Sequence, residues 1–285
     1  MADVKAIQTV SEMHRVADQI RADGLQIGLV PTMGFLHEGH LSLIRRARRC
    51  VDRVVVSVFV NPIQFGPQED LEAYPRDFER DRVLIGDSGG DLIYAPDAEE
   101  MYPEGYASYV DVDGLTRHLC GTSRPGHFRG VTTVVTKLFA AVKPHVAIFG
   151  QKDAQQAAVI RRMVQDLNLD VEVLVSPTIR EADGLAKSSR NKYLSPEERQ
   201  EASVLYQALQ KAKRLVADGE RRSEVVIGEM RELIERRPLA QIDYIEAVDT
   251  AHLQPVEEFS GEILLALAVQ FGKARLIDNL VVQTA

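Results

Sequence analysis

The chain passes from a predicted strand into a predicted helix through one distinctive stretch, Pro31-Thr32-Met33-Gly34-Phe35-Leu36-His37-Glu38-Gly39-His40. A turn of this kind leaves backbone N–H groups directed at a ligand, with the partially positive end of the helix behind them. His37 and His40 are three residues apart, so both lie on one face of a helix that begins between them. Each imidazole can donate a hydrogen bond to a phosphate oxygen, and Gly39 has no Cβ to hold a nucleotide away. The stretch therefore predicts a phosphate-binding turn.

Two resemblances rest on this stretch. The pattern His-x-Gly-His in a first strand-to-helix turn resembles the nucleotidylyltransferase and class I aminoacyl-tRNA synthetase superfamily, and the whole ten-residue string resembles the pantoate–β-alanine ligase family. Two ordinary loop histidines are the alternative, and the length of the string favours the functional interpretation. The resemblance implies an ATP site that includes Met33, Gly34, Phe35, Leu36, His37, Glu38, Gly39 and His40.

The bulk composition is that of a globular protein. With 285 residues the chain is long enough for a large core, and its length predicts about two domains. Apolar stretches are interrupted by charges well before the ~20 residues that a membrane span needs. The N-terminus lacks a basic region followed by an apolar one, so we expect no secretory signal, no membrane partner and a cytoplasmic location.

Charge and cysteine content exclude several classes of protein. The net charge of −8 argues against non-specific nucleic-acid binding, and we interpret the basic run Arg45-Arg46-Ala47-Arg48-Arg49 as a solvated helix face. Cys50 and Cys120 lack a C-x-x-C partner, and no Cys/His cluster has zinc spacing. We interpret both as buried free thiols rather than a disulfide.

Alternating strands and helices predict the fold class. A helix is predicted over 10–22, the first strand over 25–30 and a strand that is apolar on both faces over 54–60. Strand, helix and strand form a right-handed βαβ unit, which puts the histidine turn at the carboxyl end of a strand, where open α/β sheets bind ligands. The pattern predicts an α/β fold with a second, smaller α/β C-terminal domain, and the resemblance implies that the first domain has a Rossmann-like doubly wound parallel sheet.

A second strand-to-helix turn carries a lysine. The strand predicted over 145–149 ends in Gly150-Gln151-Lys152-Asp153, ahead of a helix that reaches about Asn168. Lys152 can neutralise triphosphate charge, and a purely solvated lysine is disfavoured because cations are unfavourable at a helix N-terminus. The family has Gly-x-Lys-Asp here, so the resemblance places Gly150, Gln151, Lys152 and Asp153 at the ATP site.

Two glutamines are the candidate substrate ligands. Gln64 lies in a turn that leaves the second strand of the βαβ unit, and its amide offers both a donor and an acceptor. Position alone leaves open an exposed turn glutamine. The resemblance implies that Gln64 contacts pantoate at the β-alanine side, that Gln156 also contacts pantoate, and that Met33 packs near it.

Two further segments have weaker patterns. Arg124-Pro125-Gly126-His127-Phe128-Arg129-Gly130-Val131 is predicted to be a loop ahead of a helix over 131–142, and its resemblance to a family segment implies that it lines the pocket. The charged residues 74–81 open another helix. Their carboxylates could orient magnesium, but we interpret them as solvated helix charges.

A break in the strand pattern marks the domain boundary. We predict an ATP- and pantoate-binding domain over 1–178 and a smaller lid over 179–285. The lid contains Lys187-Ser188-Ser189-Arg190-Asn191, whose hydroxyls and cations suit the β- and γ-phosphates of ATP. The resemblance adds Ile179, Lys187, Ser188, Ser189 and Arg190 to the ATP site. Many relatives have Met or Leu where this chain has Lys187.

The resemblance covers essentially the whole chain and implies one reaction. ATP and pantoate form pantoyl adenylate and pyrophosphate, and the amine of β-alanine then displaces AMP to give pantothenate. His37, His40 and Lys152 would be catalytic, Mg²⁺ would accompany ATP through ligands that the sequence does not name, and the family is usually homodimeric.

Two other functions stay open at this point. A nucleotidylyltransferase of the same superfamily would transfer AMP or CMP to a phosphorylated acceptor. A catalytically silent nucleotide-binding or regulatory protein is the other alternative, and the combination of histidines, lysine and Ser/Arg residues argues against it.

Overall fold

The structure is a computed structural model that describes residues 4–67 and 69–284. The strands are β1 (Lys5–Ile7), β2 (Ile27–Thr32), β3 (Arg53–Val58), β4 (Leu92–Tyr94), β5 (Val146–Gly150), β6 (Glu172–Ser176), β7 (Ala240–Asp249), β8 (Glu262–Phe271) and β9 (Ala274–Gln283). The helices are α1 (Val10–Ala22), α2 (Glu38–Cys50), α3 (Phe78–Asp87), α4 (Ala98–Met101), α5 (Cys120–Ser123), α6 (His127–Val142), α7 (Ala154–Asp166), α8 (Pro196–Ala202), α9 (Val204–Ala217) and α10 (Ser223–Glu235). Short 3₁₀ turns span Pro62–Gln64, Gln151–Asp153 and Ser189–Tyr193.

The chain forms two compact units. Unit 1 comprises the described residues of Met1–Val112, Arg124–Gly150 and Val159–Pro177. Unit 2 comprises those of Asp113–Ser123, Gln151–Ala158 and Thr178–Ala285. The turn that carries Lys152 therefore belongs to unit 2, although the strand that leads into it belongs to unit 1. The assignment of binding and lid roles to two domains stays a prediction.

Unit 1 is built on a six-stranded parallel sheet in the order β1-β4-β3-β2-β5-β6, which confirms the Rossmann-like prediction. The central strands are apolar on both faces, and Leu29, Val30, Val55 and Val56 are fully buried. After β2 the chain adds β3 and β4 on one side of that strand, and it then adds β5 and β6 on the other side. Since β2 and β5 pair as parallel neighbours, their carboxyl ends form the switch point at which open α/β sheets bind ligands.

The sequence also predicts strands over 91–96 and 171–175, where β4 and β6 lie, but it does not predict β1. β1 has three residues and pairs in parallel with β4, from Lys5 beside Leu92 to Ile7 beside Tyr94. Three residues are too few for a strand pattern to stand out from the flanking sequence. The strand predicted as the first of the sheet, over 25–30, is therefore the second.

Unit 2 contains a three-stranded antiparallel sheet, β7-β8-β9, with α8, α9 and α10 packed around a separate apolar core, and this agrees with the predicted smaller C-terminal domain. Ser195 caps α8 by accepting a hydrogen bond from the Glu198 backbone, as the sequence indicates. The sequence predicts one helix from Ser195 to about Asp218. The structure interrupts this helix at Ser203, whose Oγ donates to the Gln200 carbonyl at 3.1 Å. A serine hydroxyl that binds a helix carbonyl competes with the helical hydrogen bonds.

Two sequence-based exclusions can be compared with the structure. Within residues 4–67 and 69–284, no helix combines the length and apolar character needed to cross a membrane. Both cysteines are free, as expected, but only Cys120 is buried. The prediction that Cys50 is buried was wrong, because it is the last residue of α2 and lies on the exposed side of that helix.

Candidate functional site

The histidine turn of unit 1 joins β2 to α2 through two residues in left-handed conformation. Gly34 has φ +82° and Phe35 has φ +49°. A Cβ on Gly34 would lie 3.1 Å from both an Asp81 carboxylate oxygen and a Val58 methyl carbon. A side chain at position 34 is thus disfavoured by conformation and by space.

The two imidazoles stack at the start of α2. His37 is the N-cap residue, and its Nδ1 accepts from the Gly39 N–H at 3.1 Å. His40 Nδ1 accepts from the His37 N–H at 3.4 Å, and the ring centroids lie 4.1 Å apart. Because Nδ1 of each ring is an acceptor, the proton of a neutral imidazole lies on Nε2, the nitrogen that can donate to a phosphate oxygen.

Gly39 is required by a neighbouring side chain rather than by a nucleotide alone. A Cβ at this position would lie 2.8 Å from Cε1 and 2.9 Å from Nδ1 of His37. Any larger residue would displace the ring and break the N-cap hydrogen bond. The glycine therefore fixes the position of the first imidazole.

Helix α3 holds the turn from behind through two adjacent charged residues. Both carboxylate oxygens of Asp81 are occupied, because they accept from the N–H groups of Phe35 at 2.6 Å and Leu36 at 2.7 Å. Arg80 donates to the Leu36 carbonyl at 2.9 Å, and its guanidinium lies over the Phe35 ring. Asp81 is 1% exposed, so its interpretation as a solvated helix charge was wrong.

The environment of Asp81 acts on its ionisation in two directions. Burial raises the pKa of the Asp81 carboxyl above its ordinary value, while the two backbone donors and Arg80 favour the charged form. The charged form is also the one that can accept both hydrogen bonds. Asp81 is therefore a structural anchor of the histidine turn, which the sequence pattern did not indicate.

Replacing Asp81 with asparagine is expected to lower turnover by roughly 10–10²-fold, since small misplacement of a catalytic group has effects of this size. Asparagine keeps the size of the side chain but replaces one acceptor with an N–H₂ group that faces a backbone N–H. We would measure kcat and the melting temperature of Asp81→Asn. Wild-type kcat in a correctly folded variant would contradict this role.

Asp91 supplies a matched control at the amino ends of the strands of the same sheet. It accepts from the Val54 N–H and from Arg48, both at 2.7 Å. Asp91→Asn removes a comparable pair of hydrogen bonds at the amino ends of the strands. It is expected to lower the melting temperature without lowering kcat.

Gln64 lies in the 3₁₀ turn that follows β3 and is 9% exposed, so the exposed-glutamine alternative is wrong. Its Oε1 accepts from Asn61 Nδ2 at 2.9 Å, and its Nε2 donates to the sulfur of Met33 at 3.2 Å. Asn61 in turn accepts from the Tyr102 hydroxyl at 2.7 Å. The amide of Gln64 is therefore oriented by side chains beside the histidine turn.

His127 fixes the backbone of the same glutamine. Arg124 can only donate, so His127 Nε2 accepts from Arg124 Nη1 at 3.0 Å. The proton of the neutral ring then lies on Nδ1, which donates to the Gln64 carbonyl at 3.0 Å. Arg124 itself forms a bidentate pair with Glu69, with both distances 2.6 Å.

The segment 124–131 is not a loop throughout. α6 begins at His127, after Gly126 in left-handed conformation (φ +81°), whereas the sequence places the helix start at Val131. The glycines and the proline of this segment hid the helix start. Gly130 allows α6 to approach the Gln64 turn, because a Cβ there would lie 2.5 Å from the Ile63 carbonyl oxygen.

We expect the Glu69–Arg124 pair to stabilise unit 1 at neutral pH and to lose this contribution in acid. Burial favours the neutral form of Glu69, but the hydrogen bonds and charge of Arg124 outweigh it, so the pKa of Glu69 lies below its ordinary value of 4.5. A depressed pKa stabilises the fold above pH 4.5, and this contribution is lost as the pH falls through the lower, folded-state pKa. Glu69→Gln is expected to reduce the free energy of unfolding by about 1 kcal/mol at pH 7.

Urea denaturation at neutral and acidic pH measures this effect. The difference between Glu69→Gln and the wild type should shrink below pH 4.5. Glu79, whose side chain is 78% exposed and 3.9 Å from Arg82, supplies the control, because Glu79→Gln should have little effect at any pH. A difference that is constant from neutral to acidic pH would refute the assignment.

Unit 2 holds the lysine turn next to the serine- and arginine-rich segment. A cleft too narrow to admit a water molecule is lined by Lys152, Leu185, Ala186, Ser188, Asn191, Leu205, Leu276, Ile277 and Asp278. Two predicted phosphate ligands, Lys152 and Ser188, therefore share one cleft. The Lys152 ammonium lies 3.3 Å from the Asp153 carboxylate, and its side chain is 21% exposed.

The serine-rich segment has its own local hydrogen bonds. Ser188 caps the 3₁₀ turn Ser189–Tyr193 by accepting from the Arg190 N–H at 3.2 Å. Lys187 donates its backbone N–H to the Ile179 carbonyl at 2.9 Å, and its ammonium lies 3.1 Å from Glu181. The charge of Lys187 is thus offset by a nearby carboxylate.

The candidate ligands divide between the two units. Unit 1 contains Met33, Gly34, Phe35, Leu36, His37, Glu38, Gly39, His40, Gln64 and Gly150, and unit 2 contains Gln151, Lys152, Asp153, Gln156, Ile179, Lys187, Ser188, Ser189 and Arg190. Glu38 is exposed and paired with Arg45 on α2. Gln156 is half-buried near the start of α7. The joint role of Gln64 and Gln156 in pantoate binding stays a prediction.

The described acidic residues do not cluster into a metal-binding site. Within residues 4–67 and 69–284, no group of three or more His, Cys, Asp or Glu side chains could hold a metal ion. Asp81, the buried acid of α3, has both oxygens engaged by backbone donors. Mg²⁺ commonly binds through substrate phosphates and waters, with only one or two protein carboxylates.

Comparisons with known proteins agree along the whole chain. A family model described as pantoate-beta-alanine ligase matches residues 5–281. The pantothenate synthetase of Thermotoga petrophila is 57% identical over 276 residues, which cover 97% of this chain and 99% of that protein.

Solved structures give the same result. The crystal structure of pantothenate synthetase from Thermus thermophilus has a TM-score of 0.92 and 48% identity, covering 97% of this chain and 99% of that one. Pantoate-beta-alanine ligase from Francisella tularensis, complexed with beta-gamma ATP and beta-alanine, has a TM-score of 0.81 and 32% identity, covering 98% and 97% of the two chains. Sequence, fold and the histidine turn lead to one conclusion: the chain belongs to the pantoate–β-alanine ligase family.

Proposed function

We propose that this protein joins pantoate to β-alanine at the expense of ATP, through a pantoyl adenylate. One observation carries the proposal: two stacked imidazoles at the start of α2 each have Nδ1 engaged by a backbone N–H, which directs their protons to Nε2. Such a pair can bind a phosphate whose negative charge grows during reaction. The nucleotidylyltransferase alternative is not favoured, because the family match extends over residues 5–281.

Adenylation solves a chemical problem of amide formation. A carboxylate is a poor electrophile, and its oxygen is a poor leaving group. In the first step a carboxylate oxygen of pantoate attacks the α-phosphorus of ATP, and the bond to the β-phosphate oxygen breaks with release of pyrophosphate. In the second step the amine of β-alanine attacks the acyl carbon, loses a proton and displaces AMP.

The proposed ATP ligands act at different phosphates. His37 and His40 donate to the α-phosphate, which gains charge as the acid attacks. Lys152, Ser188, Ser189 and Arg190 bind the β- and γ-phosphates, which leave as pyrophosphate. The catalytic contribution is mainly positioning and charge stabilisation, as in other phosphoryl and nucleotidyl transfers. The Francisella tularensis ligase is complexed with beta-gamma ATP and beta-alanine, which supports ATP and β-alanine as substrates here.

Pantoate is assigned to the glutamines. Asn61 orients the side-chain amide of Gln64 and His127 holds its backbone, and a pre-oriented amide can bind a hydroxyl or carboxylate at little entropic cost. Gln156 supplies the second amide, and the thioether of Met33 provides an apolar contact. Bound with ATP, magnesium would offset phosphate charge.

Two broader properties follow from family membership. We expect a homodimer, which light scattering on the purified protein would test. We also expect a cytoplasmic location, because the reaction consumes ATP and serves coenzyme A biosynthesis.

The decisive assay separates the two steps. With ATP, Mg²⁺ and pantoate but no β-alanine, labelled pyrophosphate should exchange into ATP, and no exchange should occur with phosphorylated acceptors. Adding β-alanine should release AMP and pantothenate. Exchange that requires β-alanine, or that proceeds without pantoate, would contradict the adenylate mechanism.

Isotopic oxygen distinguishes an adenylate from an acyl phosphate. If the carboxylate of pantoate carries ¹⁸O, AMP should contain one labelled oxygen after a single turnover. Label in inorganic phosphate, together with formation of ADP, would instead show attack at the γ-phosphate.

A further inference from the structure

In unit 2, two adjacent residues of β9 hold the lysine turn and the turn that leads into the Ser188–Arg190 segment. Asp278 is 2% exposed and Asn279 is 5% exposed. Neither lies in a motif that the sequence indicated, and neither belongs to the proposed ligand set. We infer that Asp278 and Asn279 are positioning residues that set the spacing between Lys152 and the Ser188–Arg190 segment, and this inference rests on the proposed role of those ligands in ATP binding.

Asn279 holds the lysine turn. Its Nδ2 donates to the carbonyl oxygens of Gln151 and Lys152, both at 2.9 Å, and its Oδ1 accepts from Gln151 Nε2 at 3.1 Å. Only an amide satisfies this pattern, because two donors face carbonyl oxygens and one acceptor faces an N–H₂ group. The backbone of Lys152 is therefore fixed directly from β9, and this limits where its ammonium can lie.

Asp278 holds the turn that precedes the serine- and arginine-rich segment. Arg180 donates to its two carboxylate oxygens at 2.6 and 2.9 Å, and the Asn279 N–H donates to Oδ1 at 2.8 Å. Arg180 also donates to the Gly184 carbonyl at 3.0 Å and packs over the Tyr206 ring. A bidentate buried pair has little freedom to shift, so residues 180–184 are tied to the same strand as the lysine turn.

One of the two anchors borders the cleft that Lys152 and Ser188 line. Asp278 lines that cleft together with Lys152, Ser188 and Asn191. The charges of Arg180 and Asp278 offset each other, so this ion pair adds no net charge beside Lys152. One rigid strand thus sets the relative position of a cation and a hydroxyl that we assign to the same leaving group.

Two isosteric substitutions test each anchor separately. Asn279→Asp replaces two donors with a carboxylate that faces two carbonyl oxygens, and Asp278→Asn removes the charge and one acceptor from Arg180. Loss of the hydrogen bonds that orient metal ligands weakens metal binding by about 10–100-fold, and we expect a comparable effect on the side chains that bind ATP. We therefore expect each variant to raise the Kd for the α,β-methylene analogue of ATP, which cannot release pyrophosphate, by about tenfold or more in calorimetric titration.

Amide hydrogen exchange gives a readout that does not depend on ATP. Asn279→Asp should speed exchange chiefly in residues 150–156, and Asp278→Asn chiefly in residues 180–191. Asp249→Asn is the control, because Asp249 accepts from Ala251, His252 and Gln254 in a turn of unit 2 that carries no proposed ligand. This control should change neither segment and should leave the Kd of the analogue unchanged.

The outcomes separate the inference from the function on which it rests. Faster exchange confined to the named segments, together with a raised Kd, supports the positioning role. Unchanged exchange in both folded variants overturns the positioning role, and so does equal acceleration throughout the chain. If one variant does not fold, the other variant still decides. Failure of the wild type to bind the analogue would overturn the proposed function, while the exchange data would still decide whether β9 holds the two segments.

Discussion

Replacing His37 with alanine is expected to lower kcat for pantoate-dependent AMP formation by about 10²–10³-fold, the usual cost of losing one donor to a developing oxyanion. The imidazole binds the α-phosphate most strongly in the transition state, so the effect should fall on kcat more than on the KM for ATP. His40 should behave similarly, because its ring stacks on His37 at 4.1 Å between centroids. Steady-state kinetics with saturating pantoate and β-alanine measure both variants.

Loss of the N-cap must be separated from loss of the phosphate donor. His37 caps α2, and removing a cap costs about 1 kcal/mol of stability. Thr9→Ala removes the cap of α1, where Thr9 accepts from the Glu12 N–H at 3.2 Å, and should lower the melting temperature without changing kcat. His37→Asn can restore the cap but does not reproduce the Nε2–H donor, so it should be as stable as the wild type and nearly inactive. Wild-type turnover in His37→Ala would refute the assignment.

Replacing Lys152 with methionine is expected to reduce kcat/KM for ATP by about 10²-fold or more, because a cation that stabilises the departing pyrophosphate is lost. Methionine keeps much of the apolar stem, so the change is chiefly one of charge. The pyrophosphate exchange rate should fall in parallel with overall turnover, since both include the adenylation step.

A paired lysine elsewhere in unit 2 supplies the control. Lys211 on α9 forms an ion pair with Glu229 on α10, and neither residue is near a predicted ligand in the sequence. Lys211→Met should change the melting temperature slightly and leave kcat/KM intact. If Lys152→Met retains wild-type pyrophosphate exchange, Lys152 does not act on the leaving group.

Patterns that depend on local chemistry were predicted well from the sequence. The buried strand β3 is apolar on both faces, and α1 has apolar residues at helical spacing, so their existence follows from periodicity. The spacing of three predicted that His37 and His40 are neighbours at a helix that begins near Glu38, but it did not predict that their rings stack. Ser195 and Glu198 form the capping box that their spacing indicates.

Features that depend on long-range contacts were not predicted. Asp81 lies far along the chain from the turn it anchors, at sequence separations of 46 and 45 residues from Phe35 and Leu36, so a helix pattern only suggested a surface charge. Asn61 looked like an ordinary residue of a turn, yet it orients Gln64 and binds the Gly130 carbonyl, 69 residues away. Side-chain amides and carboxylates at such distances leave no periodic signal in one sequence.

Gly39 shows why a correct prediction can have an incomplete reason. The sequence suggested that the missing Cβ makes room for a nucleotide, while the structure adds that the His37 ring occupies the space. A ligand and a packed side chain can require the same residue type. Only coordinates distinguish which neighbour a Cβ would meet first.

A crystal structure with pantoate and the α,β-methylene analogue of ATP tests the central claim most directly. We predict that Nε2 of His37 and His40 lies within hydrogen-bond distance of α-phosphate oxygens, and that the Lys152 ammonium contacts the β- or γ-phosphate of the same nucleotide. Imidazoles that contact no phosphate, or an ammonium directed away from the nucleotide that the imidazoles bind, would contradict it.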